Sequence, residues 1–194
     1  MDTAGINAET ALVLSIGHRI AERRAALKLA LDEVAVRTGV SRAMISRIER
    51  GEVHASAVVL DKLCAGLGMT LSALFARGTH SRLSRRADQP VWKDPASAYL
   101  RREVAPSGTG SPVRIVEVDF PAGASVSLEK SRHRLIDQHV WVLAGQIEIT
   151  LSESTYSLAT GDCLHMHPDE GITFRNITGK AARYAVILTS EPIA

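Results

Sequence analysis

The stretch that decides the fold of the N-terminal part is Val40-Ser-Arg-Ala-Met-Ile-Ser-Arg-Ile-Glu-Arg-Gly51. Ser41 can accept a hydrogen bond from the first turn of a helix over residues 42–50, and the final glycine of the stretch can end that helix. A second helix over residues 31–38 precedes it. Gly39, between the two helices, can adopt the positive φ that a tight turn requires. The spacing therefore predicts two short helices joined by a tight turn.

The residues around this turn predict how the two helices pack. The small side chain of Ala35 lets the helices cross closely, and Val34, Val40, Ile45 and Ile48 fall where both must bury apolar surface. A generic helical hairpin does not need so many constraints within about 20 residues. The segment is therefore interpreted as a helix-turn-helix.

Helical patterns continue on both sides. Apolar residues recur at helical spacing over residues 16–27, and Ser72 and Phe75 fall in a last short turn of helix. Ser56 can cap a further helix whose buried stripe would be Val59, Leu60, Leu63, Cys64 and Leu67. About five short helices are predicted in roughly 60 residues.

The stretch from Val40 to Gly51 is similar to the recognition-helix signature of the lambda-repressor-like, or XRE, family of bacterial and phage regulators. The resemblance covers residues 17–75 and implies a five-helix domain whose third helix enters the major groove of DNA. That helix would present Arg42, Ala43 and Arg47 to base edges, since arginine can pair with guanine and alanine can meet a thymine methyl group. The residues expected at phosphates are Arg24, which resembles a phosphate-contacting position of the family, Lys28, Ser41, Ser46 and Arg50. Glu49 is expected to be structural and paired with a neighbouring arginine.

The charge distribution agrees with one DNA-binding part. The first 86 of the 194 residues carry 13 Lys and Arg against 8 Asp and Glu, whereas the other 108 carry 10 against 13. A basic part joined to a mildly acidic part indicates that only the first meets a polyanion. No signal peptide or membrane span is apparent, and the separated Cys64 and Cys163 do not favour a disulfide, so a cytoplasmic protein is expected.

The pattern changes after the helices. Residues 77–90 are polar and aperiodic and are interpreted as a linker between a helix-turn-helix domain over residues 12–76 and a second domain over residues 91–190. In the second domain, short alternating runs such as Val113-Arg-Ile-Val-Glu-Val-Asp-Phe120 are separated by turn residues. Regularly spaced short strands predict a β-sandwich or small barrel. The predicted fold is α + β in two domains.

The strand region resembles a cupin, of the kind that follows an XRE helix-turn-helix in many regulators. The resemblance is clearest in Gln138-His-Val-Trp-Val-Leu-Ala-Gly-Gln-Ile-Glu-Ile149, in Thr160-Gly-Asp-Cys-Leu164 and in Phe174-Arg-Asn176. Metal-binding cupins place two histidines, a glutamate and a later histidine around the metal. Here the glutamate position is Gln138, the last histidine position is Ile172, and the histidine pair falls near Ser131 and His133. The departure implies a metal-free cupin without enzymatic activity and without a cofactor.

Two further histidines leave one question open. His165 and His167 would share one face of a strand and could form an atypical metal site with His133 or His139. Leu164 and Met166 are interpreted as the core face, which would send His165 outward. Cys163 is expected to act as a small hydrophobic side chain.

The expected function is that of a sequence-specific transcriptional regulator, acting as a homodimer on a double-stranded DNA operator. The cupin would supply the dimer contact and a pocket for a small-molecule effector lined by His133, Gln138, Trp141 and Ile172. Three alternatives stay open at this point. In the first, the interior is filled and serves dimerisation only. In the second, the chain is a metal-dependent cupin dioxygenase or isomerase tethered to a DNA-binding module, and in the third it is an interaction protein such as an antitoxin-like partner.

Overall fold

The computed structural model describes residues 3–75, 81–107, 109, 111–128, 137–167 and 171–189. It divides into two compact units, Met1–Phe75 and Ala76–Ala194. Helices make up the first unit and strands dominate the second, so the predicted α + β two-domain organisation is confirmed. The predicted limits of the domains and of the linker stay predictions.

The N-terminal unit contains five helices among its described residues. They are α1 (Thr3–Ala26), α2 (Leu31–Thr38), α3 (Arg42–Glu49), α4 (Ala57–Leu67) and α5 (Leu71–Phe75). α1 begins well before the start predicted near Ile16. Leu12, Val13, Ile16 and Ile20 are all buried along it. The apolar stripe thus extends a full turn further toward the N-terminus, and packing against the unit stabilises that turn.

The turn between α2 and α3 has the predicted geometry. Gly39 has φ of 68° and its N–H donates to the Ala35 carbonyl at 2.9 Å, which ends α2. The hydroxyl of Ser41 accepts the N–H of Met44 at 3.3 Å, which caps α3. Ile45 is fully buried, so the inner face of α3 packs in the core of the unit.

Gly17 in α1 brings the backbone of α1 against the end of α3. A Cβ at this position would lie 2.2 Å from the carbonyl oxygen of Ile48 and 2.8 Å from that of Glu49. Any side chain would therefore push the two helices apart. Gly17 sets the position of α3 although it lies 25 residues before that helix begins.

The C-terminal unit contains ten described strands in two antiparallel sheets. They are β1 (Val91–Lys93), β2 (Leu100–Glu103), β3 (Val113–Phe120), β4 (Ser125–Leu128), β5 (Asp137–Ala144), β6 (Gln146–Leu151), β7 (Ser154–Ala159), β8 (Cys163–Met166), β9 (Ile172–Arg175) and β10 (Ala182–Thr189). The larger sheet has the order β1-β2-β3-β10-β5-β8, and the smaller has the order β4-β9-β6-β7. The predicted sandwich is thereby confirmed.

The core of this unit lies between the inward faces of the two sheets. Val116, Val186 and Val140 are neighbours across β3, β10 and β5, and all three are buried. The ring of Phe174, from the smaller sheet, stacks on that of Tyr184, from the larger sheet, with centroids 5.7 Å apart. Since side chains alternate along each strand, this contact fixes which residues face inward.

The side chain of Asn176 forms hydrogen bonds that stabilise the turn before β10. Its side-chain nitrogen donates to the carbonyls of Phe120, Pro121 and Lys180 at 2.8–3.2 Å, and its side-chain oxygen accepts from the N–H and the hydroxyl of Thr178. The side chain is 1% exposed. Removing it would take away three donated hydrogen bonds and the acceptor of Thr178, although Pro121 and Lys180 would each keep one other donor.

Candidate DNA-binding surface and interior of the β unit

The outward face of α3 collects most of the side chains predicted to meet DNA. Arg42, Ala43 and Arg47 are exposed, whereas Ile45 and Ile48 are buried. With 100° between successive residues, positions 42, 46, 50, 43 and 47 occupy one arc of about 140°. The three predicted base-reading residues therefore share a face with Ser46 and Arg50.

Arg42 already has a carboxylate neighbour. Its Nε lies 3.4 Å from Oδ1 of Asp32 at the start of α2, and both side chains are largely exposed. Solvent screens such a pair strongly. The contact orients Arg42 and leaves its guanidinium free to exchange partners.

Arg50 is held at the end of the arc by two neighbours. Its guanidinium donates to the hydroxyl of Ser46 and, through two nitrogens at 2.6 and 2.9 Å, to the carboxylate of Glu52. The hydrogen bonds between the two side chains, and then their opposite charges, lower the pKa of Glu52 and raise that of Arg50. Glu52 was not identified from the sequence. It competes with any phosphate for Arg50.

Arg24 is engaged inside the unit. Its guanidinium binds both carboxylate oxygens of Glu49, at 2.7 and 2.8 Å, and donates to the Leu29 carbonyl at 3.1 Å. The pair is largely buried and confirms the structural role expected of Glu49. Because Glu49 neutralises the charge that would attract a phosphate, the electrostatic basis for a phosphate contact by Arg24 is weaker, and that contact stays a prediction.

Lys28 is the one predicted phosphate residue with an unusual backbone. It follows α1, is exposed and has φ of 55°, a left-handed conformation that glycine adopts at lower cost. Its N–H donates to the Ala25 carbonyl at 2.9 Å. Its predicted contact with a phosphate stays a prediction.

Two further arginines of α1 have structural roles that sequence reasoning missed. Arg19 donates to the Leu74 carbonyl at 2.8 Å, and Arg23 donates to the carbonyls of Leu67 and Gly68 at 2.9 and 3.2 Å. Carbonyls at the end of a helix lack partners within it and attract cations. Both arginines thus fix the ends of α4 and α5, which a search for local motifs cannot reveal.

In the β unit, the structure separates the residues predicted to line one pocket. Gln138 is half-buried on the inward face of β5, and its amide donates to Sδ of Met166 at 3.8 Å. Ile172 is buried at the start of β9, in the opposite sheet. His133 lies outside the described residues, as does Ser131.

Trp141 requires a correction. It is 47% exposed, and its neighbours across the sheet are Cys163 and Ala185. Trp141 lies three positions after Gln138, so alternation along β5 puts the two side chains on opposite faces. Cys163 is also corrected, because it lies exposed on the outward face of β8 and not in the core.

The inward face carries charged groups that the sequence analysis did not single out. Arg101 and Glu103 of β2 are buried together, with Nη2 and Oε1 2.9 Å apart, and burial raises the pKa of Glu103 while the charge of Arg101 opposes that shift. Arg114 of β3 is half-buried and forms one row with Leu188, Gln138 and Met166 across four strands. Because Arg114 lies two positions before Val116 in an alternating strand, the sequence pattern alone could have predicted that Arg114 shares the inward face with Val116.

The comparisons with known proteins agree with this division. Residues 20–74 match the helix-turn-helix family model HTH_3. The chain is similar to the crystal structure of an HTH_3 family transcriptional regulator from Vibrio cholerae, at 21% identity and a TM-score of 0.77 over 95% of this chain and 99% of that one. This likeness shows the fold of both units. No curated protein matches the sequence.

Two other solved structures resemble the chain more distantly, one over about half of it and one over most of it. One is the cupin domain of an XRE family regulator from Enterobacter cloacae, with 14% identity, a TM-score of 0.46, and coverage of 49% of this chain and 99% of that one. The other is the hydroxypropylphosphonic acid epoxidase of S. wedmorenis, with 15% identity, a TM-score of 0.48, and coverage of 91% and 97%.

Among the described residues, no helix has the length and apolar character that a membrane span needs. Residues 20–74, with a capped α3 and its exposed arc, form a helix-turn-helix domain of the HTH_3 family.

Proposed function

We propose that this chain is a cytoplasmic transcriptional regulator that binds a double-stranded DNA operator through α3. The observation that carries the proposal is the exposed arc of α3, on which Arg42, Ala43 and Arg47 lie together above a buried apolar face. An α-helix fits the major groove, and an arginine can pair bidentately with guanine there. Ser41 at the helix start and Arg50 at its end are proposed to contact phosphates, Arg50 by exchanging Glu52 for a phosphate.

A binding titration tests the assignment of Arg47. With an operator selected from random duplexes, Arg47→Ala should weaken binding by about 1–3 kcal/mol and relax sequence preference at one position. The matched control is Arg37→Ala. Arg37 is exposed on α2, and its Cβ lies close to Gly66 of α4. Unchanged affinity and specificity in Arg47→Ala, or an equal loss in both variants, would contradict the assignment.

We further propose that two copies bind a pseudo-palindromic operator, each reading one half-site, with the β unit supplying the dimer contact. A single helix-turn-helix reads only a few base pairs, so a two-fold dimer is the usual way to reach specificity. Light scattering of the free protein should give a dimer mass. Footprinting should show two half-sites whose centres are one helical turn, about 10 base pairs, or a multiple of it apart. A monomer mass with and without DNA would overturn this proposal.

The interior of the β unit is proposed to take a small anionic effector. Arg114 and Gln138 lie in one inward row with Leu188 of β10 between them, and Ile172 is buried in the other sheet, so the interior contains a cation, an amide and apolar side chains. A guanidinium is the side chain best suited to bind a carboxylate. The interior offers Gln138 and Ile172 where metal-binding cupins have ligands, so we favour effector binding over a metal-dependent enzyme at that position.

Both tryptophans, Trp92 and Trp141, belong to the β unit, so their fluorescence reports on it alone. In a panel of small mono- and dicarboxylic acids, at least one should raise the unfolding temperature of the wild type and leave that of Arg114→Gln unchanged. Arg183→Gln, which alters an exposed arginine paired with Asp119, is the control. An effective acid should also change DNA affinity, and DNA should change the affinity for the acid by the same factor.

A further inference from the structure

The outward face of β5 and β8 carries a cluster of metal-ligating side chains at one end of the larger sheet. His139 and His165 are direct partners across the two strands, and Gln138 pairs with Met166 next to them. Because Val140 and Met166 are buried, alternation sends Asp137, His139, His165 and His167 to the other face. His165 is outward, as the sequence predicts.

The donor atoms of this cluster converge. Nε2 of His165 lies 2.5 Å from Oδ1 of Asp137. The rings of His165 and His167 meet edge to face with centroids 4.8 Å apart, and the ring of His139 lies 4.9 Å from that of His165. One ligand atom from each of Asp137, His165 and His167 falls within 4.8 Å of the others. Three donors therefore surround one small volume.

These separations suit a metal ion. Zn²⁺ is bound by histidine nitrogen and carboxylate oxygen at about 2.0–2.2 Å, so two ligand atoms in tetrahedral geometry lie about 3.4 Å apart. The side chains of His165 and Asp137 are 48% and 53% exposed. They can therefore make the small rotations that bring the donor atoms of the cluster from 4.8 Å or less to the ideal spacing.

The donor types of the cluster also suit a transition-metal ion, since two imidazoles and one carboxylate converge. Neutral imidazole together with an ionised carboxylate is a donor set typical of zinc, copper and nickel sites.

We propose that Asp137, His165 and His167 form a binding site for a divalent transition-metal ion, with His139 as a neighbouring imidazole. The site lies on the face of β5 opposite to Gln138, and so it differs from the interior position that the cupin resemblance indicates. Its exposure leaves a coordination position open to water or to a further ligand. Within the described residues, this is the one group of three such side chains whose donor atoms converge.

A zinc titration of the untagged full-length protein tests the proposal. Competition with a chromophoric chelator should show one Zn²⁺ per protomer in the wild type. His165→Ala and His167→Ala should each lose affinity by at least about tenfold, since even the removal of an outer hydrogen-bond partner costs about 10- to 100-fold. Zinc should also raise the unfolding temperature of the β unit, read by tryptophan fluorescence, and that shift should vanish in both variants.

The control is His18→Ala in α1. His18 is an exposed histidine with a carboxylate neighbour, Glu22, at 3.5 Å, and it lies outside the convergent cluster. Its removal should leave zinc affinity within about twofold of the wild type. Equal unfolding temperatures of all variants in chelator establish that the substitutions leave the fold intact. Absence of zinc binding in the wild type, or binding that survives in the His165→Ala/His167→Ala double variant, overturns the proposal.

Discussion

α3 and β5 are both eight residues long, and each carries side chains predicted to bind something, yet they present them in opposite ways. On α3, residues 42, 43 and 47 share one face, because a helix turns by 100° per residue. On β5, Gln138 and Trp141 point to opposite faces, because a strand alternates. The helix therefore forms most of its candidate surface by itself. The strand contributes one or two groups to each of two sites and depends on β3, β8 and β10 for the rest.

The strongest way to break the surface of α3 is to move the whole helix. Gly17→Ala places a methyl group 2.2 Å from the Ile48 carbonyl oxygen, and we expect a loss of about 3 kcal/mol in the stability of the helical unit. Urea unfolding followed by far-ultraviolet circular dichroism measures it. Gly179→Ala, which meets no atom within 4 Å, should change stability by less than about 0.5 kcal/mol. Equal effects of the two substitutions would refute the role of Gly17.

The β unit depends more on a single polar side chain. Asn176→Ala removes a buried amide that donates to three carbonyls and accepts from Thr178, so we expect a loss of about 2–3 kcal/mol in the stability of the β unit. Tryptophan fluorescence during urea unfolding reports it, and the helical signal should change little. Asn176→Asp keeps an acceptor for Thr178 but loses the donor, so it should also destabilise the unit. Full stability of Asn176→Ala would show that the turn is held by other contacts.

Lys28 offers a way to separate strain from charge. Lys28→Gly relieves a left-handed backbone and should stabilise the helical unit by about 1 kcal/mol. If the lysine contacts phosphate, the same change weakens DNA binding and reduces the slope of log affinity against log salt by about 0.9. Lys28→Ala should lose the same DNA affinity without the gain in stability. Unchanged DNA affinity in both variants would remove Lys28 from the interface.

The smallest expected effect concerns Glu52. Glu52→Gln removes the carboxylate that binds Arg50, so DNA binding should tighten by about two- to fivefold, with a salt slope steeper by about 0.9. The control is Glu22→Gln on α1, which changes the net charge by the same amount and should tighten DNA binding less. Equal tightening in both would indicate a general charge effect and not the release of Arg50.

Local features of the helical unit were predictable because they depend on near neighbours. Ser41, Gly39 and the buried Ile45 act within a few residues of one another, and their spacing specifies the turn. Glu52 and Arg24 show the limit of such reasoning. Glu52 lies two residues from Arg50, yet only the backbone after α3 decides whether the two side chains meet. Arg24 binds Glu49, 25 residues away. This ion pair weakens the electrostatic argument for the phosphate contact that the family resemblance implies for Arg24.

By itself, the sequence determined the two-domain order, the helix-turn-helix and the set of residues exposed on α3, because helical period, caps and turn glycines are local properties. Only the tertiary structure decided that Gly17 positions α3, that Arg114 joins Gln138 in one inward row, and that Trp141 faces outward. It alone placed Asp137 beside His165 and His167. These outcomes depend on strand register and helix contacts between residues far apart in the chain, and no short stretch of sequence specifies them.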